Sequence, residues 1–225
     1  MDSAKAVAPA GAIFDLDGTL LDSLADLADS ANAVLEERGF PTWPVEAYRT
    51  FVGNGMEILM ERALPPTVPK SESLGMAAAM REVYGRNWHV KTRPYEGIVP
   101  LLAALADAKV PMGVLSNKPH ALTCKVISHY FPDTPFVHVQ GKPDGGRGKP
   151  DPGLALDLAR RLGFHPDRVA FVGDSCVDMD TAVAAGMVPV GCLWGFRTRD
   201  ELLEHGARVL LGRPSDLLAH VAAPA

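Results

Sequence analysis

Cysteine is scarce. Cys124, Cys176 and Cys192 are the only three in 225 residues, widely spaced and without a C-x-x-C pair, which argues against a disulfide framework or a zinc site. A reduced, cytoplasmic setting is the expectation. Positive charge is also short: 22 Lys and Arg stand against 27 Asp and Glu, a formal charge of −5, and no basic run supplies the electrostatic footprint of a nucleic-acid binder. Any anionic partner must therefore be caught locally. The longest uncharged stretch, Thr181 to Phe196, is broken by Gly186, Pro189, Gly191 and Gly195, so no membrane span is expected. Met1 to Gly11 hold one lysine and no apolar h-region, so no secretory signal is expected.

Several catalytic templates are missing too. Gly148-Lys149 runs into Pro150 rather than Ser or Thr, so there is no Walker loop, and no G-x-G-x-x-G opens a helix after a strand. There is neither a G-x-S-x-G elbow nor an H-E-x-x-H pair. The histidines are scattered, with His120 alone near a candidate site, and Trp43, Trp88 and Trp194 read as packing residues.

What is present is an ordinary globular composition, 47% hydrophobic and 22% charged, long enough for one large domain or a domain carrying an insertion. Apolar runs at Ala12 to Phe14, Val110 to Leu115, Phe136 to Val139, Val169 to Val172 and Val188 to Leu193 read as strands buried on both faces. Helical patterns at Pro119 to Tyr130, Asp151 to Leu162 and Val177 to Ala185 alternate with them, which is the grammar of a doubly wound parallel sheet. The interval between the first two strands far exceeds one crossover helix. Ser23 to Arg93 therefore reads as a helical insert, hinged at Leu20 to Asp22 and at Arg93 to Gly97. Ser23 and Asp26 look like a helix start signal, with Gly39 a stop. Gly141 to Gly148 reads as a surface loop.

Acids follow two of the buried strands. Asp15 and Asp17 come directly after the first, at the carboxyl end of the sheet where open sheets of this kind bind ligands. Two such anions repel unless a cation intervenes or one holds a proton. Asp174 follows another strand and could complete an oxygen-rich coordination shell, with Asp178, four residues on, orienting it; the competing reading is a helix N-cap with Asp178 stabilising the dipole. Ser116-Asn117-Lys118 place small polar donors at an expected helix start, suited either to phosphate oxygens or to a simple N-cap. Lys149 sits just ahead of a helix expected to be capped by Asp151, whereas Lys142, in a near copy of its motif, lacks such a platform.

In this order D-x-D-G-T at Asp15 to Thr19, S-N-K at Ser116 to Lys118, K-P-D-P at Lys149 to Pro152 and G-D-S-x-x-D at Gly173 to Asp178 resemble the haloacid dehalogenase superfamily of phosphatases. The resemblance covers nearly the whole chain. It implies an α/β, Rossmann-like core over residues 1–21 and 95–225, with an all-helical cap over residues 22–94. It implies Asp15 as the nucleophile, forming an aspartyl phosphate, and Asp17 as general acid and then base. Ser116 and Asn117 would hold the phosphate and Lys149 would steady the charges. Magnesium would be bound by Asp15, the Asp17 backbone carbonyl and Asp174, with Asp178 close by. An acid at position 17 disfavours carbon–halogen cleavage.

Within the superfamily, Arg49 to Gly55 followed by Met60 to Leu64 is similar to the cap of phosphoglycolate phosphatases. Its Gly53-Asn54-Gly55 loop could offer backbone donors to a small carboxylate. The implied partner is a small phosphorylated metabolite, most simply 2-phosphoglycolate, with no nucleic acid or membrane, acted on by a monomer or homodimer. The competing readings are a phosphatase of another small sugar phosphate, a sugar-phosphate mutase on the same scaffold and, last, a non-catalytic phosphate-binding protein. Gly141 to Gly148 departs from the family pattern.

Overall fold

The computed structural model describes residues 8–222. Residues 1–7, most of the segment read for a leader, and the outermost residues assigned to the core lie outside the described residues. The chain begins with β1 (Gly11–Phe14) and a two-residue strand β2 (Leu21–Asp22). Four helices follow, α1 (Leu24–Glu37), α2 (Tyr48–Phe51), α3 (Met56–Ala63) and α4 (Lys70–Asn87), before β3 (Arg93–Pro94). Then come α5 (Ile98–Asp107), β4 (Met112–Pro119), α6 (His120–Tyr130), β5 (Phe136–Lys142) and α7 (Gly153–Leu162). β6 (Val169–Gly173), α8 (Cys176–Ala184), β7 (Val188–Cys192), α9 (Arg199–Glu204) and β8 (Val209–Leu211) complete it.

Six strands form one parallel sheet in the order β5-β4-β1-β6-β7-β8. All four residues of β1 are buried, and its side chains alternate between layers. Ala12 and Phe14 enter one apolar cluster and Ile13 the other, as the two-residue period of a strand dictates. Leu101, Leu105, Val126 and Ile127 of α5 and α6 fill the first cluster, while Leu158, Leu162 and Ala182 of α7 and α8 fill the second. This is the doubly wound α/β architecture expected from the apolar runs.

Because every strand runs the same way, the segments after β1, β5 and β6 emerge at one edge of the sheet together with the last residues of β4. Ser116 to Lys118 lie in β4 itself rather than at a helix start, since β4 goes on pairing with β5, through a register shift, as far as Pro119. α7 begins two residues later than expected, with the Asp151 Oδ1 accepting from the Gly153 N–H at 2.9 Å. Gly141 is not in a surface loop but buried in β5, where a Cβ would lie 2.6 Å from the Lys118 carbonyl oxygen. The loop proper is Pro143 to Gly148. Trp88 is buried as a packing residue, but Trp43 is 42% exposed, its ring edge-on to Phe51.

The helical segment α1 to α4 is bracketed by β2 and β3, which pair antiparallel with Leu21 opposite Pro94. Its apolar residues Leu27, Val34, Met60, Met76 and Tyr84 join the first cluster of the sheet without a break. Among the described residues no helix is long and apolar enough to cross a membrane. The Ser23 and Asp26 side chains do not cap α1 as expected. Ser23 turns its hydroxyl to Asp17, and the Asp26 carboxylate reaches across to the far hinge. There it accepts from the Lys91 N–H, the Thr92 N–H and the Thr92 hydroxyl at 2.7 to 3.0 Å. Asp26 is 2% exposed, so its removal strands buried donors. Asp26→Ala is expected to lose about 2–4 kcal/mol in urea unfolding. Removing the exposed partner of Lys91 by Asp29→Ala should leave the unfolding midpoint nearly unchanged.

Candidate active site

The Asp15 N–H continues the ladder of β1 by donating to the Val172 carbonyl at 2.9 Å, which fixes the backbone at the sheet edge. Its carboxylate meets Lys149. The Lys149 Nζ lies 2.6 Å from Asp15 Oδ1 and 2.6 Å from Asp178 Oδ1. Asp178 Oδ2 accepts from the Ser175 N–H at 3.0 Å and the Ser175 hydroxyl at 2.6 Å, in a capping box at the start of α8. The capping reading of Asp178 and its approach to the site are thus both present, one on each oxygen. Asp174 is held by Thr19 Oγ1 at 3.1 Å and by the Phe196 N–H at 2.8 Å. Gly18 and Gly195 wall it in: a Cβ on Gly195 would fall 2.2 Å from Asp174 Cβ, and one on Gly18 2.3 Å from its Oδ2.

Facing carboxylate oxygens of Asp15, Asp174 and Asp178 lie within 4.8 Å of one another, all three residues buried. Burial, then repulsion from Asp178, raises the Asp15 pKa well above the ordinary carboxylate value against the pull of Lys149. The same two causes push Asp174 up to about 7, against the donors Phe196 and Thr19. Burial alone would lower the Lys149 pKa, but Asp15 and Asp178 outweigh it and hold the ammonium charged. One ammonium against three carboxylates leaves negative charge unbalanced in a dry place. An all-oxygen donor set of this kind fits a hard divalent cation, with Asp15 and Asp174 the acids best placed to hold it.

The Asp17 carboxylate is not part of that group. Its Oδ1 accepts from the Ser23 hydroxyl at 2.6 Å and from Lys118 Nζ at 2.7 Å. Burial opposes the charge on Lys118, but Asp17 and then Tyr84 more than compensate, so its pKa is raised. Asp15, Asp17, Ser116, Asn117, Lys118 and Lys149 nevertheless line one cavity. Its opposite wall is Leu27, Val52, Gly53, Gly55, Met56 and Leu59, from the helical segment.

Asn117 spends both amide hydrogens as a strut, donating to the Gly53 carbonyl and the Lys149 carbonyl at 2.9 Å each. Its side-chain donors are therefore not available to an anion. Gly148 must lack a side chain, since a Cβ there would lie 2.2 Å from Asn117 Oδ1. Gly53 and Gly55 have φ of +121° and +92°, conformations that favour glycine. Asn54 does not line the cavity, and its Oδ1 accepts from Arg62 at 2.8 Å. His120 takes a structural part, accepting from the Gly141 N–H at 3.2 Å, and Lys142 stands at the protein surface 3.9 Å from Glu57. Sequence reading overlooked Thr19, Ser175 and the Phe196 N–H as holders of the acids. Thr19 lies inside D-x-D-G-T and Ser175 inside G-D-S-x-x-D, whereas a backbone donor carries no sequence signal.

A family model described as haloacid dehalogenase-like hydrolase matches residues 12–191. A Pseudomonas aeruginosa protein named phosphoglycolate phosphatase 1 is 30% identical over 211 residues, covering 92% of this chain and 77% of its own length. A Haemophilus influenzae phosphoglycolate phosphatase is 34% identical over 190 residues, covering 81% and 85%. A crystal structure from Lactobacillus delbrueckii subsp. bulgaricus, provisionally named as a phosphoglycolate phosphatase, superposes with a TM-score of 0.91 at 28% identity. It covers 97% of this chain and all of that one.

Crowding of Asp174 by a methyl group should be felt by a bound cation. Gly195→Ala is expected to weaken binding of a titrated divalent cation about 10–100-fold in isothermal titration calorimetry, with the fold intact by circular dichroism.

Proposed function

The chain belongs to the haloacid dehalogenase-like hydrolases, and on that premise we propose that it is a magnesium-dependent phosphatase acting on a small phosphate monoester, foremost 2-phosphoglycolate. The observation that supports this most is the single cavity in which Asp15, Asp17, Ser116, Asn117 and Lys149 meet the Gly53 to Gly55 loop. The two curated relatives carry the same activity in their names.

Asp15 is the nucleophile. Its carboxylate attacks phosphorus in line, the ester oxygen departs with a proton from Asp17, and an acyl phosphate remains on Asp15. Asp17, now ionised, takes a proton from water, whose oxygen attacks phosphorus, releases inorganic phosphate and restores Asp15. The Ser116 hydroxyl and the Asn117 N–H hold the phosphoryl oxygens, and Lys149 fixes the Asp15 rotamer while offsetting charge. Asp15, the Asp17 carbonyl and Asp174 are the groups that would hold magnesium, and Asp178 acts beside them through Lys149. Bound there, magnesium supplies positive charge that neutralises the carboxylates and the transferring phosphoryl group. Leu27, Val52, Met56 and Leu59 keep bulk water from the acyl phosphate. Backbone donors around Gly53 and Gly55 receive the carboxylate of the substrate.

A larger ester is the second reading, and one observation favours it. A polar hollow of about 400 Å³, lined by Glu57, Arg81, Lys142 and Pro143, adjoins the cavity through Met56 and Asn117. Phosphate release from a panel of esters separates the two. 2-Phosphoglycolate should give the highest kcat/KM, and a sugar phosphate in first place would move the substrate while keeping the chemistry. Asp15→Asn should lower turnover by about 1,000-fold or more, and chelation of magnesium should silence the enzyme until the metal is returned.

A further inference from the structure

Asp17 is gripped by one oxygen only. Ser23 and Lys118 both donate to Oδ1, and among the described residues Oδ2 receives no hydrogen bond. Lys118 is itself anchored. Its side chain is 2% exposed, its Nζ donates to the Tyr84 hydroxyl at 2.9 Å, and it stands 4.7 Å from the centroid of the Tyr84 ring. Tyr84 is 1% exposed on α4. The holders therefore come from three places: Ser23 at the crossing into the helical segment, Lys118 on β4, and Tyr84 within that segment.

An aspartate side chain, free to turn about Cα–Cβ and Cβ–Cγ, can present either oxygen, or neither, to a substrate. Two donors on Oδ1 remove that freedom and leave Oδ2 as the atom that can carry a proton. We propose that Lys118 and Tyr84 are positioning residues which, with Ser23, clamp Asp17 by Oδ1, aim Oδ2 at the leaving oxygen and make that aim depend on where α4 is seated. This rests on Asp17 being the general acid proposed above. Removal of α4 from its seat takes Tyr84 from Lys118, so the proton donor is aligned only while the helical segment covers the site. A displacement of about 1 Å suffices to cost about 100-fold in rate.

The test compares two esters at saturating magnesium. 2-Phosphoglycolate expels an alkoxide that needs a proton, whereas p-nitrophenyl phosphate expels an anion that does not, and kcat/KM for each reports the steps up to that departure. Lys118→Met is expected to lower the ratio of the two kcat/KM values about 30-fold or more, as Asp17→Asn does, because general acid catalysis is withdrawn from one ester only. Tyr84→Phe, which keeps the ring and so the packing, should lower it about fivefold. The double variant should match Lys118→Met alone, since Tyr84 acts through Lys118. Equal losses on both esters in Lys118→Met would mark Lys118 as a phosphate ligand or a structural residue and overturn the proposal, as would an unchanged ratio in Tyr84→Phe. If the unaltered enzyme hydrolyses neither ester, the phosphatase reading itself fails and takes this one with it.

Discussion

A buried ammonium caught between two carboxylates, Lys149 with Asp15 and Asp178 each at 2.6 Å, is the contact on which the site depends. In so dry a place the pair is stable only if its remaining valences are met, and removal of either sign leaves an uncompensated charge. The surroundings meet them one by one. Ser175 takes the second oxygen of Asp178, Asn117 ties down the Lys149 carbonyl, and Gly148 withholds the side chain that would push Asn117 away. Three strand ends and one loop are locked to each other by these contacts, which is why a parallel sheet is a suitable base: it delivers rigid termini to one edge.

Much of this was legible in the chain. Ala12-Ile13-Phe14 and Val169 to Val172 announce strands because both faces of each are buried, and no polar alternation interrupts them. The distance from the first strand to Val110 announced the helical segment, because no single crossover needs so many residues. β8 and α5 escaped notice for opposite reasons. β8 has three residues, too few for a period, and α5 is apolar almost throughout, so it shows no polar face.

The site was legible in its residue types but not in their orientations. The grip on Asp17 comes partly from Lys118, 101 residues away, and that on Asp174 partly from the N–H of Phe196. Local patterns record local geometry, and neither fact is local. Asn117 shows the same limit. As an amide beside Ser116 it suggests an anion ligand, yet its side chain is spent bridging two carbonyls, an arrangement that needs Gly53 and Lys149 in place first.

The two-residue ribbon of β2 and β3 has a bearing on how such a molecule can diversify. Leu21 and Pro94 sit opposite one another in register, a strand spacing of about 5 Å apart, so the chain leaves the sheet layer and returns to it at nearly one point. Whatever is threaded between those residues, whether a hairpin turn or a whole helical bundle, imposes the same closure on β1 and α5. Lineages could therefore exchange one helical segment for another while the sheet beneath keeps its strands in place.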